Sequence, residues 1–230
     1  MVYKPRLIDR LFPANCLLCG AAASDGLDAC EGCIADLPLN SPACPGCAMP
    51  VTAGALCVHC LQDPPLVSGA FCAFRYDWPV RELLLRFKTG GDLAAGRVLA
   101  ELMARRIDAL QAAPSREWTL VPVPLAPRRI GERGFNQAER IARVLGGRLG
   151  LPVEPRLARR VRSSPDQKSL SAAQRRRNLA QAFSASPCHG RRLILVDDIL
   201  TTGATTRALA QSLLDAGAAE LQLWCLARAV

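Results

Sequence analysis

The chain has 230 residues, half of them hydrophobic, and a formal net charge of +9. That is enough for one domain with a sizeable core plus a small appendage, and it excludes wholesale disorder. The charge is segregated: residues 116–192 carry 17 Lys and Arg against 5 Asp and Glu, which points to a phosphate-rich partner, an Arg-rich solvated surface being the plainer alternative.

The N-terminal stretch Met-Val-Tyr-Lys-Pro-Arg-Leu-Ile-Asp-Arg has no apolar core of the length a signal peptide needs. No window approaches the ~18 continuous apolar residues of a membrane span. The expectation is a cytoplasmic protein without a membrane span, in a compartment that keeps cysteines reduced.

Eight of the 11 cysteines then follow in four C-x-x-C pairs: Cys16/Cys19, Cys30/Cys33, Cys44/Cys47 and Cys57/Cys60. A C-x-x-C turn brings two thiolates onto one tetrahedral Zn²⁺, and two such turns complete a closed Cys₄ site. Two structural zinc ions are expected, in sequential pairing or interleaved. Gly20, Gly32 and Pro45-Gly46 supply turn chemistry beside the ligands. The segment holds few large apolar residues, so metal should supply much of its stability. A thioredoxin-like redox pair is the alternative, but such motifs come singly. His59 reads as a spectator, and the lone Cys72, Cys188 and Cys225 read as small core residues.

Asp63-Pro64-Pro65 reads as a linker. It divides a zinc-ribbon module at 1–63 from an α/β domain at 66–230. Strands are expected near 70–76, 118–123, 181–184, 192–197 and 220–227, alternating with helices around a mainly parallel sheet. A helix starting near Trp78 closes at Lys88. Arg128, Arg129 and Arg133 fall on a turn before a helix over 135–149, with Ile141, Val144 and Leu145 on one face. Residues 157–182 form a polar, Arg- and Ser-rich stretch, with a surface helix over 171–181 as its plainest reading.

The most informative segment is Leu193-Ile194-Leu195-Val196-Asp197-Asp198-Ile199-Leu200-Thr201-Thr202-Gly203-Ala204-Thr205-Thr206. Residues 193–196 suit a buried parallel strand, and 203–216 a helix stopped by Gly217. A Thr- and Gly-rich turn opening a helix is an anion trap, because free backbone N–H groups and the helix dipole both favour negative charge there. Gly203 lets the backbone approach closely. The two carboxylates repel phosphate, so they should face ribose hydroxyls or a divalent cation. No Gly-Lys-Ser/Thr occurs, which excludes a Walker A loop.

This segment resembles the PRPP motif of type I phosphoribosyltransferases. Other stretches resemble the ComF family in particular. They are Phe87-Lys88-Thr89-Gly90-Gly91-Asp92, Val121-Pro122-Val123-Pro124-Leu125, Arg128 with Arg133-Gly134-Phe135-Asn136-Gln137, and the spaced set Arg159, Gln167, Leu170, Arg175 and Asn178. The resemblance implies a Rossmann-like type I phosphoribosyltransferase domain behind a double zinc ribbon. It implies that Asp197 and Asp198 hold the ribose hydroxyls as catalytic carboxylates, and that Thr201, Thr202, Gly203, Ala204 and Thr205 hold the 5′-phosphate. Arg128 and Arg133 are expected on the pyrophosphate, with Lys88 a second candidate whose plain reading is a solvated helix end. Residues 157–182 resemble the loop that closes over PRPP. The expected ligands are PRPP with Mg²⁺, or a nucleoside 5′-monophosphate. The expected activity is phosphoribosyl transfer to an acceptor the sequence does not name, tied to DNA uptake or nucleotide salvage. The alternative is a non-catalytic nucleotide sensor or single-stranded DNA-binding competence factor, working beside an ATP-dependent competence helicase.

Overall fold

Four apolar runs build one parallel sheet in the computed structural model, which describes residues 14–24, 26–53, 55–161 and 182–230. They are β1 (Gly69–Arg75), β2 (Trp118–Pro122), β5 (Arg192–Leu200) and β6 (Glu220–Arg228), in the order β1-β6-β5-β2. Both faces are covered, so β2 is buried at every position and β5 from Leu193 to Val196. Alternation sends Ile194 and Val196 into one core and Leu193 and Leu195 into the other. All four strands are parallel, so their carboxyl ends open at a single edge.

The sheet's margins are not bare. Beyond β2, Leu120 N–H donates to the Pro152 carbonyl at 2.8 Å and Glu154 N–H to the Leu120 carbonyl at 2.9 Å. Beyond β1, Asn40 N–H donates to the Ala73 carbonyl at 3.1 Å and Arg75 N–H to the Pro38 carbonyl at 2.8 Å. The cysteine-rich segment thus caps the β1 edge, which would otherwise present unpaired backbone groups.

The cysteine-rich segment carries two short helices, α1 (Glu31–Ala35) and α2 (Val58–Gln62). One face of the sheet bears α3 (Val80–Thr89), α4 (Leu93–Ala109) and α6 (Gln137–Leu149). Helix α3 buries Val80, Leu83, Leu84 and Phe87, a helical stripe. Helix α4 went unread in the sequence, although Asp92 caps it by accepting from Ala95 N–H at 3.1 Å and Val98, Leu99, Leu102, Met103 and Ile107 recur at helical spacing. The same core takes in Leu27, Ala29 and Leu37 from the cysteine-rich segment. The other face bears α7 (Ala204–Asp215).

Three expectations need correction. The segment carrying Arg128 to Arg133 is not a turn but α5 (Pro127–Arg133), opened by a proline and ended by Gly134 at φ 78°. The strand expected near 181–184 is β4 (Phe183–Ala185), and it pairs antiparallel with β3 (Ala158–Arg160) in a separate ribbon, outside the main sheet. Helix α6 starts at Gln137, because the Asn136 side chain accepts from Ala138 N–H at 3.1 Å and fixes the cap. Ile141 and Leu145 are buried on it and Val144 is half-buried. The expected helix over 171–181 lies outside the described residues, as does most of the stretch compared with a closing loop.

Candidate functional site

The cysteines gather into two sets, Cys16 with Cys19, Cys30 and Cys33, and Cys44 with Cys47, Cys57 and Cys60, each with its sulfurs within 4.8 Å of one another. Pairing is therefore sequential. Tetrahedral zinc at ~2.3 Å from each sulfur sets neighbouring sulfurs about 3.8 Å apart. The Cys19–Cys30 and Cys47–Cys57 sulfurs lie 3.6 Å apart, so both sets fit the ion. Cys33 N–H points at Cys30 Sγ at 3.5 Å and Cys57 N–H at Cys44 Sγ at 3.3 Å, the polarisation a thiolate needs. Burial raises the Cys16 and Cys44 thiols, but several backbone N–H groups outweigh it and bring both down to about 6. These are two closed Cys₄ zinc-binding sites. His59 is exposed and belongs to neither. Cys72, Cys188 and Cys225 are buried core residues.

At the carboxyl edge, β5 runs past its apolar stretch through Asp197 and Asp198 to Leu200. Asp198 lies on the face that carries α3, and Lys88 Nζ meets its Oδ2 at 3.0 Å. Both side chains are largely covered, at 23% and 13% exposure, so Lys88 is no solvated helix end. Asp197 lies on the other face, in register with Cys225 and, one strand on, Cys72. Its Oδ1 accepts from Asp198 N–H at 2.9 Å. Burial pushes the Asp197 carboxyl up to about 8, helped by the Asp198 charge and opposed by that N–H and by Lys88. Burial likewise raises the Cys225 thiol, reinforced by Cys72 and by the two carboxylates.

The loop after β5 leaves Thr201, Thr202 and Ala204 exposed and Thr205 half-buried. Thr206 is buried, donating from Oγ1 to the Gly203 carbonyl at 2.9 Å. Gly203 stands at φ 74° as the cap of α7. A Cβ there would touch Leu200 and Thr206 only at 3.7 Å, so the backbone angle, not crowding, demands glycine. The first amides of α7 have no partner within the helix, and Ala204 N–H turns back to Thr202 Oγ1 at 3.4 Å.

Helix α5 reaches the same edge, because Val123 N–H donates to the Val196 carbonyl at 2.9 Å and the Val123 carbonyl accepts from Asn136 Nδ2 at 3.0 Å. Arg128, 84% exposed, pairs with Glu132 at 3.0 Å, and Arg133 donates to Gln137 Oε1 at 3.2 Å. Phe87, next to Lys88, stacks 5.4 Å from Phe135 and ties α3 to this corner. The fold therefore joins Lys88 directly to Asp198, and sets Arg128 and Arg133 on a helix whose guanidinium groups are engaged with their own neighbours.

Two arginines were not singled out by the sequence. Arg228, buried at the end of β6, donates to the carbonyls of Leu200, Thr201, Ala229 and Cys47. Arg86, on α3, holds Asp92 and the Leu17 carbonyl. Neither belongs to a motif; an arginine ending an otherwise apolar strand was the one signal available for Arg228.

A family model for the double zinc ribbon domain matches residues 7–73. The chain is 37% identical to the DNA utilization protein YhgH of Salmonella typhimurium, over 94% of this chain and 97% of that one. It is 32% identical to Competence protein F of Haemophilus influenzae, over 95% and 98%. Competence protein ComFC of Bacillus subtilis is 28% identical over 83% and 79%. Among solved structures, Leishmania donovani UMP synthase overlaps 65% of this chain and 24% of its own at 17% identity and a TM-score of 0.36, too loose to carry weight. No helix of the described residues is long and apolar enough to cross a membrane.

Proposed function

Since the chain belongs to the ComF family, with Competence protein F and the DNA utilization protein YhgH as full-length relatives, we propose that it binds PRPP, brought in as its Mg²⁺ complex, and transfers the phosphoribosyl group to an acceptor. The observation that carries this reading is the Lys88–Asp198 ion pair beside Asp197, directly before a Thr-Gly-Ala-Thr helix start. One end of the site offers hydrogen-bond acceptors suited to a ribose diol. The other offers amides and hydroxyls suited to a 5′-phosphate. A lysine at the acids suits the charge of a departing pyrophosphate.

In the proposed step the bond from ribose C1 to the pyrophosphate oxygen breaks, and pyrophosphate leaves with the electron pair. The acceptor's lone pair forms the new bond to C1 and the acceptor gives up a proton. The transition state is oxocarbenium-like, so the protein's part is positioning and charge stabilisation. Asp197 and Asp198 orient the ribose, and Asp198, the carboxylate paired with Lys88, places negative charge near the developing cation. Thr201–Thr205 anchor the phosphate, and Lys88 stabilises the leaving group, with Arg128 and Arg133 recruited from α5 when ligand is present. The deciding assay is pyrophosphate release from PRPP with Mg²⁺ and a panel of nucleobase, nucleoside and amine acceptors. Release that needs an acceptor and is lost in Asp198→Asn is expected; absence of PRPP binding by calorimetry would remove the reading.

A second reading has one observation in its favour. Arg128 and Arg129 stand exposed on α5, and relatives are named for DNA utilization and competence. Under it the same site senses a nucleotide and the basic surface meets single-stranded DNA through its phosphates. Anisotropy with a labelled oligonucleotide at low and moderate salt tests it. Binding that Arg128→Ala/Arg129→Ala leaves unchanged would count against α5 as the contact.

A further inference from the structure

In each of the two Cys₄ knots, the backbone of a ligand turn is held by an arginine that also reaches one wall of the nucleotide site. Arg228 is 6% exposed and pairs with no carboxylate among the described residues; every acceptor it meets is a backbone carbonyl. Its Nη1 donates to the Leu200 carbonyl at 2.9 Å and the Thr201 carbonyl at 2.7 Å, and also to the Ala229 carbonyl. Its Nε donates to the carbonyl of Cys47, a ligand of the second knot, at 3.2 Å. Leu200 and Thr201 begin the phosphate loop, and because a trans peptide sets its C=O and N–H in opposite directions, carbonyls held on Arg228 turn the amides of Thr201 and Thr202 away from it. The guanidinium thus reads the backbone of a metal ligand at one end and orients the phosphate loop at the other.

Arg86 makes the corresponding link on the opposite wall. Its Nη1 donates to the carbonyl of Leu17, which lies between Cys16 and Cys19 of the first knot, at 2.7 Å. Its Nε and Nη2 both hold Asp92 Oδ2, at 3.0 and 2.6 Å. Asp92 caps α4, and burial notwithstanding, the Ala95 N–H and the Arg86 charge hold its carboxyl below the usual range. The Arg86–Asp92 clasp closes the corner that carries Lys88, Thr89, Gly90 and Gly91. Lys88 leaves that corner to meet Asp198.

We propose that Arg86 and Arg228 are positioning residues through which the two zinc knots separately set the two walls of the ligand site, the first knot holding the Lys88 corner and the second holding the phosphate loop. The identity of the ligand rests on the reading given above; the mechanical coupling does not. A knot without its ion loses the turn that presents Leu17 or Cys47, and the arginine then lacks one of the anchors that fix its fork. The loop it organises opens more often, and an anion meets amides no longer aimed at it.

Hydrogen exchange read by mass spectrometry separates the two walls without needing any ligand. In Arg228→Lys, peptides covering 198–206 are expected to exchange about tenfold faster while those covering 86–93 and the middle of α4 keep their protection, since an ammonium cannot span the four carbonyls. Arg86→Lys reverses the pattern. Cys57→Ala, which breaks the second knot without touching Cys47, should copy Arg228→Lys, and Cys30→Ala should copy Arg86→Lys. Should a cysteine variant unfold, the two lysine variants decide alone. Binding of a nucleoside 5′-monophosphate is expected to weaken about tenfold in Arg228→Lys and by less in Arg86→Lys, in line with loss of a charged hydrogen bond. Unchanged exchange at 198–206 in Arg228→Lys, or equal loosening of both walls in each variant, would overturn the coupling. Failure of the wild type to bind the monophosphate, with the exchange pattern intact, would instead overturn the ligand assignment alone.

Discussion

Lys88 on α3 and Asp198 on β5 meet at 3.0 Å over the carboxyl edge of the sheet, with Asp198 Oδ2 as the acceptor. The pair gives Asp198 a counter-charge before any ligand arrives, and under the proposed function its ammonium would meet the pyrophosphate of PRPP. Replacing Lys88 with Met should therefore separate two ligands. PRPP affinity falls about tenfold, the size of one charge-assisted contact. Affinity for a nucleoside 5′-monophosphate, which has no pyrophosphate, falls by much less. Calorimetry on both ligands checks this; equal losses would assign Lys88 to the ribose carboxylates alone.

The Asp197 carboxyl carries the clearest pH signature. Its folded value of about 8 stands above its ordinary value of 3.8. The folded chain therefore holds a proton there that the unfolded chain has released. Stability from this group is fully present below about pH 4 and is lost as pH rises to about 8. Asp197→Asn keeps the acceptor for Asp198 N–H and removes the charge. It should raise the Tm by about 4 °C at pH 8.5 and by far less at pH 5, while ligand binding drops. Thermal melts at the two pH values test it; an equal shift at both would mean the carboxyl is not burdened by its surroundings.

Much of this site could be read from the chain, and the reasons are local. Asp197 to Thr206 form one contiguous strand–loop–helix, so motif and geometry coincide in sequence. The cysteine spacing does the same for the two knots. Lys88 was harder, since only tertiary packing through Phe87 and Phe135 brings it to Asp198. Arg86 and Arg228 were not legible, because what marks them is backbone carbonyls far away in the chain, at Leu17 and Cys47, and carbonyls leave no trace in composition. The short helix Pro127–Arg133 reads as a turn because its polar residues hide the helical period, and β4 reads as part of the main sheet, with β3 unread, because strand partners are not written in a three-residue strand.

Two zinc ions per chain are expected in protein purified without chelator. Cys33→Ser should drop the count to one and lower the Tm by about 10 °C or more, since structural zinc contributes on the order of 10 kcal/mol in isolated modules. The loss reaches the main domain because Leu27, Ala29 and Leu37 belong to its core. Metal analysis by plasma emission gives the count. A value below one zinc per chain in metal-replete protein would defeat the assignment.

The seam between α3 and α4 offers the sharpest packing test. Gly96 on α4 lies against the ring of Phe87, and a Cβ there would come within 2.5, 2.6 and 2.7 Å of three ring carbons. The ring is 1% exposed and lies 5.4 Å from Phe135, so it has little room to retreat. Gly96→Ala should cost about 2 kcal/mol through overpacking, and about 6 °C in Tm, despite the better helix propensity of alanine. Any shift of Phe87 carries Lys88 with it, so PRPP affinity should fall more than monophosphate affinity, as in the Lys88 variant. Adding Phe87→Leu should recover part of the stability, because the two sites are in contact and their effects are not additive. Gly147 on α6 is the control: it is exposed, and a Cβ there meets nothing within 4 Å. Gly147→Ala should stabilise by about 0.5–1 kcal/mol through backbone entropy and leave binding alone. If Gly96→Ala behaves like Gly147→Ala, the seam is loose, and Phe87 does not fix the position of Lys88.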